Sequence, residues 1–197
     1  MAEVTTKERI LDAAEGIMLE KSFHSVGLNE ILKAVGVPKG SFYHHFESKE
    51  QFGAEMLKHY VAEVSAFKRR ALLSTEPESN PRKRILTYLE SMVGKFIENG
   101  GKCPCLVLKV ASEVVDSSEP MRMALAEGQK EWDSILSKVI SEGINKHKIS
   151  KEIDPIKTAR LIGHLWTGAM HRAVVDRDAG SLRESLAFIA SQLLLSP

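Results

Sequence analysis

The stretch Leu28–Lys49, LNEILKAVGVPKGSFYHHFESK, constrains this chain more than any other. Leu28, Ile31, Leu32 and Val35 fall at i, i+3, i+4 and i+7, the apolar stripe of one helical face. Gly36 follows the last periodic residue, where a helix-ending glycine is expected. Val37 stays apolar, so the turn is expected to be partly buried. Pro38 suits a helix start, where its missing N–H costs nothing. Phe42 and Phe46, four apart, are predicted to point inward together, while Lys39, Ser41, Tyr43, His44 and His45 face mostly outward. Two short helices joined across a glycine-containing turn make a helix-turn-helix. Its second helix displays hydrogen-bond donors with a cation at each end, which suits the major groove of duplex DNA. An ordinary helical hairpin would leave that exposed aromatic and histidine cluster unexplained.

The second helix and the residues around it carry the pattern VxxGxxYxHFxxK, as Val37, Gly40, Tyr43, His45, Phe46 and Lys49. At these residues the chain resembles the TetR family of one-component regulators. The resemblance implies an all-α, nine-helix fold with a helix-turn-helix domain over 1–48. A connecting helix over about 49–73 then opens an effector-binding and dimerisation domain over 49–197. It also implies a homodimeric repressor on a palindromic DNA operator. The implied DNA contacts are Lys39, Gly40, Ser41, Tyr43, His44, His45 and Lys49. Members of the family often donate to a phosphate from a Thr or Ser near position 27. This chain has Val26, Gly27 and Leu28 there, so a backbone N–H or Asn29 is needed instead.

Charge narrows the source of any DNA affinity. The net charge is only +1, and residues 1–50 hold more Asp and Glu than Lys and Arg. Phosphate attraction must come from a local patch, Lys39, Lys49 and Lys33, assisted by helix N-termini. Two cysteines, Cys103 and Cys105, are too few for a disulfide scaffold. No signal peptide is expected before Thr5, and no apolar run approaches membrane-spanning length, so a reducing cytoplasm is expected.

Along the chain, Thr5 with Glu8 fits a capping box opening a helix to about Lys21. Ile10, Ala13, Ala14 and Ile17 are its expected inward stripe, and Phe23 is expected to plug the core. Ser48 with Gln51 suggests a second box, opening a helix from Lys49 to Leu73. The helix dipole disfavours a cation at that first turn, so Lys49 is expected to meet an outside anion. Ser74–Pro81 (STEPESNP) reads as a linker. Five helices are predicted after it, over about 82–99, 105–115, 119–146, 155–175 and 181–195, with no strand and no internal repeat. Leu161, Leu165, Gly168, Ala169 and Ala173 line one face of the penultimate helix. Leu186, Ile189, Ala190 and Leu193 line the last. Together they are expected to form a four-helix bundle with a second copy, setting two recognition helices one DNA turn apart. Completing the chain's own core is the alternative.

The remaining chemistry gathers at GGKCPCLVLKVASEVVDSSEP. Cys105 follows Pro104 and opens an apolar helix, where backbone N–H groups favour a thiolate. Lys109 lies one turn on and Lys102 just behind, and both would lower the thiol pKa. The plain alternative is a small buried hydrophobe. From CLVLKVASEVVDSSEPMR to Gly128 the chain is similar to a branch of the TetR family that senses reactive electrophiles and hypochlorite-type oxidants. That likeness implies Cys105 as the sensor. A Cys103–Cys105 disulfide would close a strained loop. A metal site would need ligands such as His147, His164 or His171, and a lone CxC is a weak metal signal, so no metal and no cofactor is expected. Trp132, His164, Trp166 and Met170 could line an effector pocket or fill the core. No nucleophile–base–orienter set and no phosphate-binding glycine loop appears, so no enzyme is expected. Two rivals stay open: the same fold sensing a non-covalent small ligand, and a helical thiol enzyme, which turnover of an electrophile would reveal.

Overall fold

Local capping chemistry sets most helix starts. In the computed structural model, which describes residues 5–76 and 78–197, Thr5 and Glu8 form the reciprocal capping box that opens α1 (Thr6–Glu20). The segment before Thr5 and the linker residue Pro77 lie outside the described residues. Then come α2 (Leu28–Val35), α3 (Lys39–His45), α4 (Lys49–Leu73), α5 (Pro81–Glu98), α6 (Leu106–Val114), α7 (Glu119–Asn145), α8 (Pro155–Asp176) and α9 (Gly180–Phe188). Asn80 caps α5 and Asp154 caps α8, each accepting two backbone N–H groups beside a proline that has none to offer. The described residues thus form nine α-helices and no strand.

Three local expectations are corrected. The buried stripe of α1 is Ile10, Leu11, Ala14 and Met18, with Ala13 and Ile17 only half-buried, because the packed face is rotated toward the larger side chains. At α4 the Ser48 hydroxyl accepts the Gln51 N–H at 3.0 Å, but the Gln51 amide oxygen accepts from Glu47 rather than Ser48. The last helix does not run on to 195: α9 ends at Phe188 and widens into a π-turn over Ile189–Leu193, which closes on Leu194.

The chain packs as two units that are not contiguous in sequence. One comprises residues up to Glu63 together with Cys105–Gly128. Ile10, Met18, Ile31, Phe42, Phe46, Phe52, Leu57, Leu106 and Val110 are buried in it, with α1 packed on α2 and α6, and α2 on α3. Gly53 permits close approach here: a Cβ would lie 2.0 Å from the Met121 Cε and 2.7 Å from the Phe23 ring. The other unit comprises Val64–Pro104 and Gln129–Pro197. Its core holds Leu72, Ile85, Leu89, Ile135, Leu136, Val139, Ile140 and Ile162, with α9 packed on α8 and α5. The buried Arg84 guanidinium is matched by Glu142, which also takes the Lys146 ammonium at 2.7 Å. Packing therefore groups residues 49–63 and Cys105–Gly128 with the helix-turn-helix residues. Helix α6, bearing Cys105 at its cap, is grouped with the helix-turn-helix because it packs on α1.

Candidate nucleic-acid interface and thiol site

The turn between α2 and α3 is built on Gly36, which caps α2 in the left-handed region at φ 66°. Its N–H and that of Val37 return to the Leu32 carbonyl, closing the α2 C-terminus. Only a residue without Cβ holds that backbone without strain. Helix α3 then starts after Pro38. Phe42 and Phe46 point inward, ring centres 5.0 Å apart, and both stack edge-on against Phe52 of α4. With that side fully buried, Lys39, Gly40, Tyr43 and His44 are exposed, and Ser41 and His45 half-buried. Tyr43 is 56% exposed although aromatic, standing edge-on to Phe42. The seven predicted contact residues thus share one region of the first unit.

Lys49 is fastened otherwise than charge alone suggested. Its ammonium donates to the Val26 carbonyl at 2.9 Å and lies 5.2 Å from the Phe23 ring centre. The cation that the α4 dipole disfavours thus finds an acceptor inside the chain, and an outside anion is not required to explain it.

The thiol site is assembled from α4 and α6 of the same unit. Cys105 is the N-cap of α6 and half-buried. Its carbonyl accepts the Lys109 N–H at 3.1 Å. The next residue's N–H, that of Leu106, donates to the Tyr60 hydroxyl at 3.2 Å, which ties that phenol to the first turn of α6. Burial first, and then the charge of Cys105, push the Tyr60 phenol well above its ordinary range, against the lowering effect of the Leu106 N–H. The Lys109 ammonium, expected to serve the thiol, instead donates to the Leu19 carbonyl near the C-terminus of α1. A cation there is favoured by the α1 dipole, which accounts for the choice. Cys103 is half-buried and belongs to the other unit.

The residues considered for an effector pocket differ in burial. Met170 is buried in the core and His164 exposed. Trp132 lies tilted against Tyr88, ring centres 5.6 Å apart, with the Lys68 ammonium 4.6 Å from its ring centre, and Trp166 packs against the core. An open groove in this unit lies between α7 and the start of α8, lined by Ser141, Glu142, Lys146, Asp154 and Ile156. Of the residues assigned to a dimer face, Leu161 and Gly168 are exposed and Leu165, Leu186 and Leu193 half-buried. Ala169 and Ile189 are buried within the chain's own core, Ile189 continuing the buried stripe of Leu182 and Ser185. Sequence reasoning missed Val175, 65% exposed, and Phe188, 50% exposed. The i+14 position of Val175 from Leu161 was the available signal. It also missed a polar clasp between α1 and α4, where the His59 Nε2 lies 2.7 Å from Asp12 and 3.8 Å from Glu63. Nothing in the sequence pairs residues 47 apart.

Comparison with known proteins gives the arrangement its relatives. Residues 10–56 match the family described as bacterial regulatory proteins, tetR family, and residues 81–189 match the tetracyclin repressor-like C-terminal domain. The HTH-type transcriptional repressor NemR of Escherichia coli K12 is 37% identical, over 95% of this chain and 93% of that protein. The repressor DhaR of Mycobacterium sp. GP1 is 27% identical over 100% and 96%. The crystal structure of the reduced form of E. coli NemR superposes with a TM-score of 0.90 at 35% identity, covering 98% of each chain. A TetR regulatory protein from Rhodobacter sphaeroides gives 0.81 at 26% identity, over 93% and 96%.

Proposed function

The chain belongs to the TetR family of bacterial transcriptional regulators, and on that premise we propose that it is a dimeric, cytoplasmic repressor released from its operator when an electrophile or oxidant modifies Cys105. It is a regulator and not an enzyme, and no helix among the described residues is long and apolar enough to cross a membrane. Lys39, Gly40, Ser41, Tyr43 and His44 meet the DNA, with His45 at the edge of the contact. Lys49 serves both the DNA and the fold. Two copies join through Leu161, Leu165, Gly168 and Val175 of α8 and Phe188 of α9, with Leu186 and Leu193 at the margin.

One observation carries the signal: a half-buried thiol caps α6 within the same packed unit as the reader, and the next residue's N–H is bonded to Tyr60 of α4. Addition at sulfur inserts volume beside Tyr60 and Leu106, which are buried. A packed interior accommodates added volume poorly. Relief by moving α6 strains α1, on which α6 packs and to which Lys109 ties it, and α1 packs on α2. Relief by moving α4 displaces Phe52, against which the recognition helix is stacked. Either route alters the reader.

The test is a gel shift on the promoter adjoining the gene. N-ethylmaleimide is expected to release the wild-type protein, and Cys105→Ser to bind and ignore the reagent. Cys103→Ser is expected to respond as wild type does. Release of Cys105→Ser by the reagent would replace this reading with a site elsewhere on the chain, and a non-covalent ligand would then be sought in the second unit.

A further inference from the structure

We infer that Asp12, His59 and Glu63 form a binding site for a divalent transition-metal ion of the zinc class, which pins α1 to α4 within the reader's unit; the site is independent of the thiol at Cys105. Spacing along the chain suggested no such set, because Asp12 and His59 are 47 residues apart. His59 and Glu63 are four apart on α4, so their side chains share a face. Asp12 of α1 meets them from the facing helix. The His59 Nε2 lies 2.7 Å from Asp12 Oδ1 and 3.8 Å from Glu63 Oε1. One imidazole nitrogen and one oxygen from each carboxylate all lie within 4.8 Å of one another.

These separations fit one shared ion. Two donors each about 2.1 Å from zinc stand about 3.4 Å apart at the tetrahedral angle. The observed 2.7 and 3.8 Å bracket that value. The His59 side chain is 23% exposed, against 53% for Asp12 and 60% for Glu63, so the imidazole is the fixed donor and the carboxylates can turn to close on the ion. Charge favours a cation as well. Glu15, one turn beyond Asp12 on α1, is acted on by the charges of Glu63, Asp12 and His59. Three carboxylates therefore gather about one imidazole, and even a protonated ring would leave a negative excess that a divalent ion offsets. The donor types select the class of ion. Magnesium and calcium take oxygen ligands, whereas an imidazole beside carboxylates suits zinc and its neighbours. Three protein donors leave a fourth position for water or for Glu15. The ion replaces the proton that Nε2 and Asp12 otherwise share, and that proton leaves to water. Because α1 packs on α2, and α4 carries Phe52 against the recognition helix, the ion braces both supports of the reader.

The experiment titrates zinc chloride into metal-free full-length protein by isothermal titration calorimetry. A Cys103→Ser, Cys105→Ser background removes competing thiols. Cobalt(II) followed by visible absorption repeats the measurement with a spectroscopic ion. Saturable uptake of one ion per chain is expected, with the d–d bands of cobalt held by nitrogen and oxygen. In the same background His59→Gln is expected to weaken binding about 100-fold or more, and Glu63→Gln about tenfold or more, since losing even an outer-shell partner costs about 10–100-fold. Glu63 is exposed, so Glu63→Gln decides the matter if His59→Gln does not fold. No saturable binding below millimolar zinc, or binding that His59→Gln or Glu63→Gln leaves unchanged, overturns the site and reduces the three residues to a hydrogen-bonded clasp.

Discussion

The recognition helix and the last two helices use opposite economies of surface. In α3 the large apolar side chains, Phe42 and Phe46, are spent inward, and what remains outside is Lys39, Tyr43 and the histidines. In α8 and α9 the core is filled by Ile162, Ala169, Met170, Ala173 and Ile189, yet Leu161, Val175 and Phe188 are still left outside. A face that exposes donors suits a polar, charged partner, and a face that exposes large aliphatic and aromatic groups suits an apolar one. The contrast supports the proposal that DNA meets the first and a second copy of the chain the other.

The sharpest way to break this contrast is a charge on the apolar face. Phe188→Glu is expected to yield monomers at micromolar concentration in sedimentation. It should also lower operator affinity by about 100-fold or more, since an unpaired buried charge costs several kcal/mol. A dimer that survives would assign the face to something else. Next, Tyr43→Ala tests the polar face alone. It should leave the dimer and its melting temperature intact and weaken operator binding about tenfold in fluorescence anisotropy, the worth of one contact of ~1.4 kcal/mol.

Lys49→Ala bears on both sides of the comparison, because its ammonium is held by Val26 within the fold. Loss of that bond is expected to cost ~1 kcal/mol by chemical denaturation. If the ammonium also reaches phosphate, the log–log salt slope of operator binding falls by about 1. An unchanged slope would assign Lys49 to the fold only. The smallest effect concerns the unit that carries α8 and α9. Burial raises the Glu142 carboxyl, but the hydrogen bonds from Lys146 and Arg84 outweigh it and hold the group below its ordinary 4.5. A depressed carboxyl contributes stability above its unfolded pKa and loses it as pH falls through the folded value. Acid unfolding monitored by circular dichroism should therefore begin below about pH 4.5, and Glu142→Gln should flatten that part of the profile.

Much of the reader was legible because its determinants are local. The i, i+3, i+4, i+7 stripe of α2, the left-handed glycine and the pair Phe42 and Phe46 each act within a turn or two of chain. α4 was predicted over its observed span, Lys49–Leu73, from a cap and a periodicity. The expectations that went astray were those about partners. Lys109 lies one turn from Cys105, and spacing made them a pair, but its ammonium reaches a carbonyl 90 residues away. Ile189 was read as part of an outer face, but it follows Leu182 and Ser185 into the chain's own core.

By itself the sequence determined where most helices begin, which side of α2 and α3 is apolar, and that a thiol stands at the mouth of α6. Capping and periodicity are properties of neighbouring residues, so they survive without knowledge of the fold. Only the tertiary structure decided that α6 packs with the reader, that the Tyr60 hydroxyl meets the Leu106 N–H, and that Lys49 is claimed by Val26. Periodicity states which face is buried but not against what, and a hydrogen bond across 46 residues is made by the packing of whole helices rather than by any local preference.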